Sequence, residues 1–396
     1  MSDRHDAGFR DHTPLAEARD RLREQVTPHG RTESLALVDA DGRRLAADAT
    51  ARRDVPGEAQ AAMDGVAVVA ADTHGASERA PVTLDRAETA GRGRAVPVHT
   101  GSALPEGADA VVMVERTEDR GDDVAVATAV AEGENVAPAG EDVAADQHLF
   151  DAGHELSPSD LAVLKSTGYR EVAVAERPRV AVVPTGNELV EADPGRGETV
   201  ETNALMVSRL AERWGGAATY REIVPDDEDA LAAAVERDTD HDLVVTTGGS
   251  SVGERDLLPE VVDERGELLV HGVGIKPGHP LGFGVVDGTV VLVLPGYPVS
   301  CLVGAVTLLR PALAWLAGGE PVPLPSTEAT LTEGIHSDLG TTQFVRVTTD
   351  GGEAAPLRAS GAGVLSSATA ADGWVVVPPE TELLDAGATV RVERWE

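Results

Sequence analysis

Leu15, Ala18, Leu22 and Val26 recur at helical spacing behind Thr13 and Pro14, so the pattern predicts a helix over Leu15–Val26 with Thr13 as N-cap. That helix should cover a core or a partner subunit. After Arg52-Arg53-Asp54-Val55-Pro56-Gly57 the period shortens. Apolar runs at Val66–Val69, Val96–Val98, Ala110–Val114 and Val124–Val130 alternate with Gly, Pro and Asp clusters, the signature of a small β-rich domain. Ser157-Pro158-Ser159-Asp160 is a capping box with proline in the first turn, predicting a second helix that carries Leu161 and Leu164. This helix is expected to pack beside the first, with the β-rich segment inserted between them.

From Arg177-Pro178-Arg179 onward strands and helices alternate. Val180–Val183, Leu243–Thr247 and Val290–Leu294 read as strands, Asn203–Trp214 and about 227–237 as helices, and a long apolar helix runs to about Leu316. Such alternation predicts a parallel sheet with right-handed crossovers. Gly318-Gly319-Glu320-Pro321-Val322-Pro323-Leu324-Pro325 is a linker, and Phe344–Val347, Trp374–Val377 and Val390–Val392 suggest a terminal β module. The 396 residues suit two or three domains at about 150 residues each. The longest apolar run stops at Arg310-Pro311, short of the roughly 20 residues a spanning helix needs, so no membrane segment is expected. The start, Met1-Ser2-Asp3-Arg4-His5-Asp6, lacks an apolar signal region, and a cytoplasmic address is expected. The single cysteine, Cys301, excludes an internal disulfide and a Cys-x-x-Cys metal site.

Charge changes the picture more than length does. Asp and Glu number 68 against 33 Lys and Arg, a net charge of −35, and only Lys165 and Lys276 among the cations are lysines. The chain should repel nucleic acid and anionic membranes. A carboxylate-rich surface over a packed core suits a soluble protein of an extreme halophile, because molar salt screens repulsion beyond about 3 Å. Lys165 lies on a helix and reads as solvated.

Three loops follow apolar strands: Pro184–Glu188, Gly248–Asp256 and Pro295–Ser300. Each alone is an ordinary turn. Ligands of open parallel sheets bind beyond the carboxyl ends of strands, so together they suggest one crevice. Gly248-Gly249-Ser250-Ser251-Val252-Gly253 would let backbone N–H groups face an anion. Asp226 and Asp256, from different loops, could share a magnesium ion, although most aspartates of so acidic a chain are solvated surface. Glu188 could act on water or a leaving group. In Ile275-Lys276-Pro277-Gly278-His279-Pro280 an ammonium beside an imidazole suits an oxyanion, whereas His279 could equally be structural.

Read together, these segments resemble the molybdopterin molybdotransferase family, the MoeA proteins and the E-domain of gephyrin. Ala62-Met63-Asp64-Gly65 is similar to the family's SAMDG, and Thr100-Gly101 with Leu104-Pro105-Glu106-Gly107-Ala108-Asp109-Ala110-Val111-Val112 to its TGAxxPxGADAVV. Gly140-Glu141-Asp142, Pro184–Leu189, Thr247–Asp256, Ile275–Gly278 and Leu294–Ser300 look like its GED, TGDEL, TSGGVSVGxxD, IKPG and LPGNPVS.

The resemblance implies a multidomain α/β and β fold. A helical dimerisation segment would comprise residues 1–45 and 142–178, a β-rich insertion 46–141, a central parallel α/β molybdopterin-binding domain 179–322, and a C-terminal β domain 323–396. It implies an enzyme that inserts molybdate into adenylylated molybdopterin, with Mg²⁺-dependent release of AMP. A homodimer and a molybdopterin adenylyltransferase partner are implied as well. Asp226 and Asp256 match metal positions; Thr100, Asp142 and Glu188 match catalytic ones. Gly248, Gly249, Ser250, Ser251, Lys276, His279, Ser300, Arg346 and Ser366 match positions around substrate and molybdate. The chain departs from the pattern at Ala59, a family aspartate, at His279, a family lysine, and at Tyr297, a family asparagine. These changes leave two alternatives: a pterin-binding scaffold without turnover, and a pyrophosphate hydrolase sharing the α/β domain.

Overall fold

The computed structural model describes residues 12–248, 257–357 and 361–395. Gly249, Ser250, Ser251 and Asp256 of the glycine loop therefore lie outside the described residues. The chain divides into two compact units, one of Ser34–Val174 and one joining the residues before Ser34 to those from Ala175 onward.

In the Ser34–Val174 unit a six-stranded sheet runs in the order Ala110–Met113, Gly65–Val68, Arg94–Val98, Val82–Arg86, Asp123–Val126, Thr117–Asp119. Gly65 is obligatory, since a Cβ there would lie 1.9 Å from the Val112 carbonyl oxygen. The helix Pro158–Ser166 starts with the capping box read from sequence: Ser157 Oγ accepts from the Asp160 N–H, and Asp160 accepts from the Ser157 N–H.

In the other unit, helix α1 (Leu15–Gln25) is capped by Pro14, with no side-chain hydrogen bond from Thr13. It buries Ala18, Leu22 and Val26 in the α/β core, whereas Leu164 of the Pro158–Ser166 helix joins a separate cluster with Leu37 and Leu156. The two helices read as a pair thus serve different cores.

The central sheet uses β1 (Arg179–Pro184), β2 (Ala217–Tyr220), β3 (Leu243–Thr247), β4 (Gly266–His271), β5 (Gly282–Val286) and β6 (Thr289–Leu294), in the order β2-β1-β3-β6-β5-β4. β2, β1, β3 and β6 pair in parallel, but β5 runs antiparallel to both its neighbours, β6 and β4, so the sheet is mixed. The reversal is made at Asp287-Gly288, where both residues have positive φ, as a two-residue hairpin with right-handed twist requires. Helices α2 (Asn203–Arg213), α3 (Glu228–Arg237) and α4 (Leu257–Arg265) cover the sheet.

Helices α5 (Pro298–Gly304) and α6 (Arg310–Leu316) form one rod through a π-helical turn at Ala305–Leu309. Pro311 has no N–H for the Thr307 carbonyl, and Arg19 Nε of α1 donates to that oxygen at 3.0 Å instead. The 19 residues Pro298–Leu316 are long and apolar enough to cross a bilayer by composition alone, contrary to the expectation from the uninterrupted run. Their 94% burial inside the protein makes the rod a core helix.

The C-terminal strands β7 (Ser326–Leu331), β8 (Thr342–Asp350), β9 (Glu353–Pro356), β10 (Gly373–Val377) and β11 (Thr389–Glu393) are ordered β8-β9-β7-β11-β10, and β10 pairs back on β8 to close a barrel. Ile275–Lys276 adds a short parallel strand to β8.

Candidate functional site

Pro184, Thr247 and Leu294 stand side by side in register at the carboxyl edge of β1, β3 and β6. From β1 the chain crosses through α2 to β2 on one side; from β2 it returns through α3 to β3 on the other. The strand order therefore reverses between β1 and β3, where an open α/β sheet forms its ligand crevice. A cavity of about 320 Å³ lies there, lined by Thr185, Glu188, Asn203, Thr247, Gly248 and Tyr297 among others. That volume falls within the range of small-molecule sites.

The floor is set by backbone proximity. The Thr185 N–H donates to the Thr247 carbonyl at 3.0 Å, and the Gly248 N–H to the Leu294 carbonyl at 3.2 Å. Gly248 has φ +125°, and a Cβ on it would lie 2.0 Å from the Thr185 carbonyl oxygen. No other residue fits.

The polar lining is unsatisfied from within. Thr185 Oγ1, Thr247 Oγ1 and Asn203 Oδ1 are buried and, among the described residues, lack hydrogen-bond partners. A buried polar group without a partner costs about 1–3 kcal/mol, so three around one cavity offer hydrogen bonds to water or to a bound ligand. Asn203 is oriented by Nδ2 donating to the Gly296 carbonyl at 2.7 Å. Glu201, buried at the cavity wall, accepts from the Ala204 N–H and the Tyr220 hydroxyl, each at 2.6 Å. Burial and then that carboxylate raise the Tyr220 pKa, so the phenol stays a donor.

Asp226 reaches this region through its neighbour Asn187. The Asn187 N–H donates to Asp226 Oδ2 at 3.3 Å and the Asp226 N–H to Asn187 Oδ1 at 3.1 Å. Asp226 remains exposed, one residue pair away from Glu188 of the same turn.

Lys276 and His279 behave differently from the expected oxyanion pair. Lys276 Nζ donates to Asp338 Oδ2 at 2.8 Å, a carboxylate 62 residues away. The His279 ring lies 5.7 Å from that of His12, and desolvation, then the His12 charge, lowers its pKa, favouring neutral imidazole. Gly278 packs this turn on α5, where a Cβ would approach the Ser300 carbonyl to 3.3 Å. Ser300 itself is buried in the first turn of α5.

Arg346 is buried on β8, and its Nη2 donates to the Gly361 carbonyl at 3.5 Å. Desolvation lowers its pKa, yet a guanidinium stays charged at neutral pH. The next residue after Gly361, Ala362, accepts from the Val299 N–H, and Gly363 lies against the Tyr297 ring and lines the cavity. Ser366 begins helix α7 (Ser366–Ala370) just beyond and is exposed.

Thr100 and Asp142 belong to the Ser34–Val174 unit. Thr100 donates its N–H and hydroxyl to Asp64 Oδ1 at 2.7 and 3.0 Å, lowering the Asp64 pKa. Two of the sequence motifs thereby meet. The Asp142 N–H donates to the Val55 carbonyl.

Of the expected residues, Glu188 and Gly248 line the cavity. Asp226 is tied to its rim through Asn187, and Arg346 touches the segment that closes one side. Thr185, Asn203, Glu201 and Thr247 were not singled out. The available signal was a pair of hydroxyls, Thr246-Thr247, ending a fully buried apolar strand.

Residues 13–168 match the MoeA N-terminal region (domain I and II), 181–315 the "Probable molybdopterin binding domain", and 328–395 the MoeA C-terminal region (domain IV). A relative from Methanocaldococcus jannaschii, named for molybdopterin biosynthesis, is 34% identical over 386 residues, covering 94% of each chain. A molybdopterin molybdenumtransferase of Mycobacterium tuberculosis is 36% identical over 80% of this chain and 83% of its own length. A crystal structure of the molybdopterin biosynthesis MoeA protein from Pyrococcus horikoshii superposes with a TM-score of 0.83 at 32% identity, covering 96% of this chain and 99% of that one. The chain therefore belongs to the MoeA family and is a transferase.

Proposed function

We propose that the protein inserts molybdate into adenylylated molybdopterin, releasing AMP and molybdenum cofactor. The observation that carries this reading is the cavity at the strand-order reversal, where Thr185, Thr247 and Asn203 present buried polar atoms with no partner among the described residues. In this reading their hydroxyls and amide hold the pterin ester, and Gly248 lets its backbone approach closely. Glu188, at the rim, orients the attacking group at the phosphate. Arg346 and Ser366 face the molybdate end, with Lys276 released from Asp338 to join them.

Mg²⁺ suits Asp226: the carboxylate is exposed, has spare lone pairs beyond the Asn187 contact, and that ion takes one or two carboxylates while keeping water. When bound, it would neutralise pyrophosphate charge. Asp256 is proposed as the second ligand. The same reading carries a homodimer in which Thr100 and Asp142 act, supply of substrate by a molybdopterin adenylyltransferase, and work at molar salt.

The test is AMP release from adenylylated molybdopterin with molybdate and Mg²⁺ in molar KCl. AMP appearing in step with molybdate supports the reading. Tight ligand retention without AMP would instead select a binding protein, a possibility that the neutral imidazole of His279 keeps open. Cleavage of ADP-ribose with no response to pterin would select a pyrophosphate hydrolase.

A further inference from the structure

Cations of this chain are outnumbered two to one, and many of them are held by carboxylates. Arg31 holds Glu176 and Asp242, Arg44 holds Glu155, Arg86 holds Asp119, Arg116 holds Glu78, and Arg221 holds Asp238. Lys276, one of the two lysines, holds Asp338. Arg53, Lys165 and Arg170 are distinguished by sharing one place. Among the described residues none of the three has a carboxylate partner, yet all three line one cavity of about 500 Å³ in the Ser34–Val174 unit. Its remaining walls include Leu37, Val38 and Tyr169. Asp39, Asp54 and Glu171, the adjacent carboxylates in sequence, do not line it.

The walls are built rather than incidental. Arg53 Nε donates to the Ser166 carbonyl at 2.8 Å, which fixes the guanidinium and leaves its terminal nitrogens to point elsewhere. Arg52 lies 3.7 Å over the Tyr169 ring, and the Tyr169 hydroxyl is clamped to both backbone groups of Thr50. Gly168 has φ +106°, and a Cβ there would press on Arg52 Cβ at 3.4 Å, so glycine lets the two arginines lie against the turn. Lys165 sits in the last turn of the Pro158–Ser166 helix. Three cationic residues line one hollow, and among the described residues no carboxylate joins that lining.

We propose that this cavity binds a small phosphate-type oxyanion carrying at least two negative charges. The fork of Arg53 suits two oxygens of such a group, and the two flanking cations balance its charge. A polyanion such as nucleic acid is disfavoured by the net charge of −35, whereas a small ion meets only the local field. The site is separate from the cavity at the strand-order reversal and does not depend on the molybdotransferase reading.

The experiment titrates full-length protein with inorganic pyrophosphate by calorimetry, at the lowest KCl concentration that preserves its circular dichroism. The Thr185→Val variant is titrated in parallel to separate any second site. A binding event is expected that persists in Thr185→Val, weakens at least tenfold in Lys165→Gln and in Arg53→Gln, and stays unchanged in Arg209→Gln on α2. Lys165 is exposed on a helix, so its substitution leaves the fold intact, and a matching melting temperature confirms this. Absence of binding, equal binding in Lys165→Gln and Arg53→Gln, or equal weakening in Arg209→Gln would each overturn the proposal.

Discussion

The backbone of Gly248 passes so close to Thr185 that a methyl group on the former would lie 2.0 Å from the carbonyl oxygen of the latter. Two strand ends meet there without room for any side chain. Gly248→Ala must therefore move one loop, and the positive φ adds strain to the clash. We expect a loss of about 2–4 kcal/mol, with AMP release falling at least 100-fold. Thermal melting and single-turnover AMP release check both.

Thr185 and Thr247 give the opposite pattern. Each hydroxyl is buried without a partner among the described residues, so Thr185→Val or Thr247→Val should leave stability unchanged or raise it by about 1 kcal/mol. Ligand affinity should fall about tenfold or more, because a group offered to the ligand is gone. Paired denaturation and binding measurements on each variant decide the matter. A variant that loses stability while keeping affinity would show the hydroxyls are structural.

The Thr307 carbonyl, left without a donor by Pro311, depends on Arg19. Arg19→Leu keeps apolar bulk but leaves that oxygen buried and unbonded. Stability should drop by about 1–3 kcal/mol, read from urea unfolding.

Asp242 sets part of the acid limit. Burial alone would push its pKa up, but hydrogen bonds from the two terminal Arg31 nitrogens and the Arg179 N–H hold it below the usual carboxylate range. Its folded pKa lies below the unfolded one. The stability it contributes is therefore present above the ordinary aspartate value near 3.9 and is lost as pH falls through the depressed folded value. Arg31→Gln should cost about 2 kcal/mol at neutral pH and move the midpoint of acid unfolding upward, followed by circular dichroism.

The charge excess predicts a salt response. At low ionic strength unscreened repulsion across a −35 surface opposes the compact state, so the melting temperature should rise steadily from 0.1 to 2 M KCl. A flat or falling curve would contradict the halophilic reading.

Much of the architecture was legible because apolar runs ended at glycine and proline. The turns after Val183, Thr247 and Leu294 do leave one edge of one sheet. The mixed sheet was less legible: β4 and β5 carry no strong alternation, and the Asp287-Gly288 hairpin signal was passed over in favour of repeated crossovers. Site residues followed the same division. Glu188 and Gly248 announce themselves by their turn, whereas the role of Asn203 depends on a contact with Gly296 some 93 residues away. Lys276 drew attention by rarity, but its pairing with Asp338 is a tertiary fact.

The short strand Ile275–Lys276, leaving the α/β region to hydrogen-bond β8, makes the final barrel more than an appendage. Truncating the protein before Ser326 would strip away Arg346 and would also unmoor the backbone that carries the chain's second lysine. On the proposed reading, a shortened protein of that kind should forfeit molybdate capture even where the crevice at the strand-order reversal survives whole.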